Sequence, residues 1–302
     1  MNPSLLETLR NRRLVCDGAM GTELMLAGLV SGDCGELWNL TQPDRVLAIQ
    51  RRYVEAGADC LITNTFGASR IGLAGHGQAG QVRAINQAAA RLAREAFAGQ
   101  PGFVLGDVGP LGGLLEPLGE LQVDTARAAL DEQIRTLLEA GVDAILLETQ
   151  TALEELGLGL AAAQAAGAPC IIASLAFDRS ADGKKFRTMM GVTPEQAAKF
   201  AQENGAHILA LNCGKGMDMP GAAEVIRNYR QHCFLPLMAQ PNAGQPFLEN
   251  GRVIYKQPPD EMVRALPDVL AAGAAILGSC CGSTPEHTRA IRRGVDQWQA
   301  AH

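Results

Sequence analysis

Short apolar and β-branched runs alternate with longer stretches whose apolar residues recur every three or four positions, and this alternation repeats eight times along the chain. The short runs predict strands near 14–20, 59–66, 103–109, 143–149, 169–177, 207–213, 236–242 and 274–280. The longer stretches carry helix start signals: Thr41-Gln42-Pro43 opens a helix to about Ala56, and Thr193-Pro194-Glu195 one to about Asn204. Further helices are expected over Val82–Ala98, Asp124–Ala140 and Pro285–Ala300, with an Ala/Gly-rich one around 157–168. Gly57, Gly141, Gly167, Gly205 and Gly273 each close such a stretch before the next strand, as helix C-terminal glycines do. Eight strand-helix repeats with no Pro/Ser-rich linker predict one α/β domain over 1–302, a single (β/α)8 TIM barrel. An open doubly wound sheet is the alternative.

The barrel reading places chemistry where strands end. Asp17-Gly18-Ala19-Met20-Gly21-Thr22, Asn64-Thr65-Phe66-Gly67, Asp107-Val108-Gly109-Pro110, Glu148-Thr149, Asn212-Cys213-Gly214, Pro241-Asn242-Ala243-Gly244 and Gly278-Ser279-Cys280-Cys281-Gly282 all fall at strand ends. Seven of the eight strands thus finish in polar or Gly-rich sequence facing one rim. The longest irregular stretch, 178–188, reads as a charged, solvated loop, with a mobile lid as its other reading.

Composition narrows the functional classes. Apolar residues make up 47% of the 302, enough for a large core, and a net charge of −6 provides no basic footprint for nucleic acid. No apolar run reaches membrane-spanning length, so neither a nucleic acid nor a membrane is expected as a partner. The N-terminal segment lacks a signal-peptide core, which points to a reducing cytoplasmic location and against a disulfide framework for the eight cysteines. Cys16, Cys34, Cys60, Cys170 and Cys233 read as packing residues.

The remaining three are different. Cys280 and Cys281 are adjacent between glycines, and Cys213 sits in an equivalent strand-end turn. Successive strand residues point to opposite faces, so both neighbours reach one point only where the strand breaks into a turn, which flanking glycines permit. Three thiolates with an open fourth position describe a zinc site that takes a thiol ligand and makes it a nucleophile. Buried bystander thiols and a redox pair are the weaker readings. Asn242 is a turn residue by default, with a second reading as occupant of the fourth position until substrate arrives. The turn 17–22 offers backbone N–H groups to a carboxylate, and Asp17 a charge for an ammonium. Glu148 ends a very apolar run and reads as a carboxylate facing the mouth, with Asp107 in similar standing. The histidines at 76, 207, 232, 287 and 302 show no pairing pattern, and no nucleotide-binding loop is present.

The segments DGAMGTEL (17–24), LWNLTQPD (37–44), EAGAD (55–59), NTFGAS (64–69), LLET (146–149), LNCG (211–214), PNAG (241–244) and GSCCGSTPEH (278–287) resemble the zinc-dependent homocysteine S-methyltransferases. The similarity is greatest to the homocysteine-binding module of cobalamin-dependent methionine synthase and runs in order from about 10 to 295. The resemblance implies zinc on Cys213, Cys280 and Cys281 and homocysteine held by Asp17, Gly18, Ala19, Met20, Gly21, Thr22 and Glu148, with Asp107 beside them. Betaine-using relatives place a zinc-ligating tyrosine where Thr149 stands; the asparagine of the methionine-synthase type is present as Asn242. Ser279 replaces the family's usual second glycine, a change expected to adjust the turn without removing a ligand. The S-methylmethionine enzymes have this chain length but differ in the opening and strand-two motifs. With a single barrel, the methyl donor is expected to be a free small molecule, methylcobalamin or a separate methyl-corrinoid protein. A non-catalytic zinc or thiol-binding module, and transfer to another thiol or selenol, remain as alternatives.

Overall fold

The computed structural model describes residues 3–249 and 252–302. Eight parallel strands form the central sheet: β1 Leu14–Val15, β2 Cys60–Ile62, β3 Phe103–Val108, β4 Ala144–Gln150, β5 Ile171–Leu175, β6 Ile208–Asn212, β7 Leu237–Gln240 and β8 Ala274–Leu277. Each pairs with its neighbours in chain order, and β8 pairs with β1. The remaining gap, between β1 and β2, is bridged at Cys16 and Cys60, where the Asp59 N–H donates to the Val15 carbonyl (2.7 Å) and the Asp17 N–H to the Cys60 carbonyl (3.0 Å). The sheet is thereby a closed (β/α)8 barrel, as the eightfold alternation predicts.

Helices α1 Pro43–Glu55, α2 Val82–Ala96, α3 Val123–Glu139, α4 Leu153–Ala165, α5 Pro194–Glu203, α6 Met219–His232, α7 Leu266–Ala271 and α8 Pro285–Ala301 surround it. Proline begins α1, α5 and α8, where its missing N–H costs nothing, and Thr193 and Thr284 complete capping boxes. Three strands are anchored by one repeated device. Asp59, Asp143 and His207 each stand at the start of an even-numbered strand and accept the N–H of a residue in the preceding one: Val15 (2.8 Å), Val104 (2.7 Å) and Ile171 (3.0 Å). Two of the three sit just after a helix-closing Gly-Ala pair and the third after Gly-Val, so the end of each helix delivers the anchor.

Two apolar layers follow from the period-2 alternation of the strands. One face of the sheet packs on the helices, and the other fills the barrel with Leu14, Cys16, Cys60, Ile62, Leu105, Leu146, Ile172, Ile208, Met238 and Ile276. Carried upward by two residues at a time, the inner face reaches Asp107 on β3, Glu148 on β4, Ser174 on β5, Asn212 on β6 and Gln240 on β7. The barrel is thus apolar below and polar at its C-terminal mouth.

Several strands end earlier than expected. β1 stops at Val15, and by Met20 the chain is already in the helix Met20–Leu26, so the tail of the 14–20 run is turn. β2 stops at Ile62 and β7 at Gln240 for the same reason: polar, Gly and Pro residues at strand ends build loops here. The stretch 178–188 is more ordered than a solvated loop. Asp178–Arg179 pairs with Phe186–Arg187 as a hairpin, Phe186 is buried beneath the Arg179 guanidinium (4.4 Å), and Arg179 binds Glu224 (2.9 Å). Among the described residues no helix is long and apolar enough to cross a membrane.

Candidate metal and substrate site

Cys213 follows β6 immediately. With Asn212 facing the interior, regular alternation would send Cys213 outward; instead it adopts φ 54°, a left-handed conformation that turns its thiol into the mouth. Gly214 next to it has φ 93°, and a Cβ there would meet the Phe177 carbonyl oxygen at 2.0 Å, so only glycine fits. Cys280 and Cys281 sit in the turn between β8 and α8. That turn is stitched on both sides: the Cys280 N–H donates to the Pro241 carbonyl (2.8 Å), the Ala243 N–H to the Cys281 carbonyl (3.0 Å), and the Ser279 N–H to the Asp17 carbonyl (3.1 Å). Ser279 is buried and has no left-handed φ, so its side chain imposes no backbone strain where the family's glycine would stand.

These turns bring the three sulfurs within 4.8 Å of one another, with Cys213–Cys281 at 3.7 Å and Cys280–Cys281 at 3.8 Å. Two thiolates on one tetrahedral zinc at the usual ~2.3 Å bond length stand ~3.8 Å apart. The sulfurs therefore have the spacing and the softness that a zinc ion requires. Beside them Asn242 is buried; its amide N–H donates to the Gly214 carbonyl (3.0 Å), and its Oδ1 has no partner among the described residues. An orphaned buried oxygen there suits a fourth ligand. Hydrogen bonds from the Cys213 and Cys280 thiols lower the Cys281 thiol, whereas contacts with Cys213 and then Cys281 raise Cys280, so the three sulfurs share protons as one closely coupled group.

The second half of the mouth is acidic. Burial pushes Asp17 up to about 7, against the lowering effect of the Ile62 N–H (2.8 Å) and the Cys16 thiol. Burial likewise raises Glu148 to about 8, with the charges of Asp17 and Cys213 adding to it. Asp107 is pushed well above the carboxylate range by burial and then by Glu148, Glu36 and Asp17, and its Oδ1 is unpartnered. Among the described residues no Lys or Arg is ion-paired with any of these three carboxyls. Acids crowded this way favour an incoming cation.

The 17–22 turn divides into parts. Gly18 is needed for close approach, because a Cβ would stand 2.7 Å from Ser283 Oγ and 3.0 Å from the Tyr53 hydroxyl. The Ala19 N–H already donates to Ser283 Oγ (3.1 Å), and Thr22 Oγ1 accepts from the Gly282 N–H (3.1 Å), so both brace the cysteine turn. Met20 packs partly against the core, and Gly21 is exposed with open space around it.

The sequence reading passed over three residues of the site. Glu36 adds charge to the acidic side and accepts the Gly67 N–H (2.8 Å). Asn212 lies between the thiols and Glu148. Tyr255 packs on Gly282, where an added Cβ would meet the tyrosine Cβ at 2.2 Å, directly beside Cys281.

Fold and site together define a barrel protein that gathers three soft sulfur donors and a set of unpaired carboxyls in one mouth. The chain belongs to the homocysteine S-methyltransferase family, whose sequence model matches residues 14–295. It is 33% identical over 308 aligned positions to the methionine synthases of Mycobacterium leprae (strain TN) and Mycobacterium tuberculosis (strain ATCC 25618 / H37Rv), covering 96% of this chain and 25% of each relative. The chain thus spans about a quarter of the length of those relatives. The metallated crystal form of the homocysteine methyltransferase MmuM from Escherichia coli shares the fold with a TM-score of 0.77, at 24% identity over 97% of this chain and 99% of that one.

Proposed function

We propose that residues 1–302 act as one homocysteine-binding barrel that transfers a methyl group to the homocysteine sulfur and forms methionine. The observation that carries this reading is the pairing, in one mouth, of three sulfurs at zinc-binding spacing with carboxyls that lack a cation. Cys213, Cys280 and Cys281 would hold zinc, with Asn242 Oδ1 available as a further ligand. Zinc bound there supplies a depressed thiol pKa, so that homocysteine is a thiolate at neutral pH.

The chain's own residues do the rest. Glu148, Asp107 and Asp17 receive the ammonium group, which favours their ionised forms and fixes one end of the substrate. That end being fixed, the sulfur is presented towards the open mouth, where the new carbon–sulfur bond forms as the carbon–donor bond breaks. Gly18, Ala19 and Thr22 keep the cysteine turn in register with the acidic side; Met20 and Gly21 line the outer edge of the same turn.

A protein-borne methyl-corrinoid is the donor we favour, with free methylcobalamin as its simplest surrogate. Phe66, Leu114, Leu118 and Met189 on loops, and Phe247 and Leu248 on the short strand Phe247–Glu249, all follow the C-terminal ends of barrel strands and are exposed apolar side chains, which suits a macromolecular donor better than a small onium compound. The similarity to methionine synthases accords with methionine as the product. All eight cysteines are free thiols, in keeping with a cytoplasmic setting.

The test is methionine formation by zinc-loaded protein given homocysteine with methylcobalamin, S-methylmethionine or betaine in parallel. Turnover highest with methylcobalamin is the expected result. Absence of methionine with every donor would refute the reading.

A further inference from the structure

Asn212 occupies the topmost inner position of β6, next to Cys213, and is buried. Its amide is fully used. Oδ1 accepts the Ser174 hydroxyl (2.7 Å) and the Thr149 N–H (3.1 Å); Nδ2 donates to Thr149 Oγ1 (2.7 Å) and to Cys280 Sγ (3.9 Å). One side chain therefore touches β4, β5 and the cysteine turn after β8.

Two of those contacts converge on an unusual backbone. Thr149 has φ 57°, a left-handed conformation that a β-branched residue keeps only when its surroundings over-determine it. Its N–H and its hydroxyl both bind the one Asn212 amide, so leaving that conformation would break both bonds. The β4–β5 register shifts between Leu147 and Gln150, across the segment that carries Glu148. The third contact reaches a sulfur of the metal set, where an N–H donor favours the thiolate form and orients it.

From this we infer that Asn212 is a positioning residue, coupling the thiol end of the site to its ammonium end by holding Cys280 with one hydrogen bond and the Glu148-Thr149 backbone with two. The inference rests on the reading of the site given under Proposed function. An amide suits the task because it donates and accepts at once and does not titrate.

Asn212→Asp separates the two contacts. A carboxylate still accepts from Ser174 and from the Thr149 N–H, and the Thr149 hydroxyl can rotate to donate to it, but Cys280 then faces a negative oxygen in place of a donor. Thr149→Ala makes the complementary change, deleting the Oγ1 contact and leaving the Cys280 contact intact. Ser174→Ala is the control. Zinc affinity is measured by competition with a chromogenic chelator, the sulfur-to-metal charge-transfer band on the cobalt-loaded protein, and homocysteine Kd by calorimetry on the zinc-loaded protein.

For Asn212→Asp we expect zinc affinity lowered at least tenfold and a displaced cobalt band, with a melting temperature near the parent's. For Thr149→Ala we expect homocysteine Kd raised at least fivefold with zinc affinity within twofold of the parent. Ser174→Ala should leave zinc affinity and the cobalt band unchanged. An Asn212→Asp protein with parental zinc affinity and cobalt band would overturn the inference. Should that variant be grossly destabilised, Thr149→Ala decides: unchanged homocysteine Kd overturns it. A parent protein that binds neither zinc nor cobalt would overturn the site reading itself, and this inference with it.

Discussion

Glu148 shows how much a single side chain can be asked to do. It shares a buried mouth with Asp107 and Asp17 and sits near 8, so in the free protein at neutral pH it is largely protonated. An ammonium entering between the carboxyls favours their ionised forms and displaces protons. The sign is fixed by linkage: the ligand prefers deprotonated carboxyls, so homocysteine affinity should rise with pH between about 6 and 8. Calorimetry in buffers of different ionisation enthalpy measures the released protons. The desamino analogue 4-mercaptobutanoate, which keeps the thiol, should lose the part of the slope that the carboxyls supply; identical slopes for both ligands would count against the acidic site. Glu148→Gln should weaken homocysteine binding by about 1.5–3 kcal/mol, the worth of a charge-assisted hydrogen bond, which is roughly ten- to hundredfold in Kd. It should leave zinc affinity intact and raise the melting temperature of the free protein at neutral pH, because a carboxyl that folding forces to take up a proton is replaced by a neutral amide. Residue types at strand ends made it legible in the sequence that Glu148, Asp107 and the cysteine trio share one rim. Asn212 and Tyr255 were not legible, because their roles depend on which strand ends and hairpins become neighbours, and pattern along one strand does not encode that.

Among the elements, the strands whose apolar runs alternate were legible, and their upper ends were not. A polar residue at a strand end continues the pleat as Asp107 does, or breaks it as Asp17 does, and hydropathy does not separate the two. The hairpin over 178–187 escaped for a related reason: Phe186 is the single apolar anchor in a polar stretch, and its burial comes from packing into the main core against α6, with Arg179 over its outer face. The anchors at the bottom of the barrel are the opposite case, since Asp59, Asp143 and His207 recur at the same place after a helix-closing glycine. Asp143 accepts the Val104 N–H (2.7 Å) and binds Arg94 (2.6 Å), with about a third of its side chain exposed. The exposed ion pair contributes little on its own. Loss of the backbone acceptor matters more, so Asp143→Ala should cost about 1–3 kcal/mol and lower the melting temperature by several degrees without altering zinc or homocysteine affinity. Thermal unfolding of the variant alongside Arg94→Ala, where we expect under about 1 kcal/mol, checks the ranking; equal losses would show that the ion pair and not the strand anchor carries the effect.

Taken as one molecule, the protein keeps its folding and its chemistry on different layers. The barrel interior and the sheet–helix interface contain none of Cys213, Cys280 and Cys281. The turns that present those thiols are held instead by backbone hydrogen bonds to β1, β7 and their loops. A metal ligated from such turns adds stability by mass action on a fold that already exists, unlike a small zinc module in which the metal replaces a core. Chelation should therefore abolish methyl transfer while leaving the far-UV circular dichroism and a cooperative thermal transition in place. The melting temperature should fall by an amount that grows with the zinc concentration used for the loaded reference, since the stabilisation follows RT ln(1 + [Zn]/Kd). Readdition of zinc should restore activity without a refolding step. If the chelated protein instead lost its helical signal, or regained activity only on the timescale of refolding, the cysteine turns would be supporting the barrel as well as the reaction, and the separation argued from the two apolar layers would be wrong.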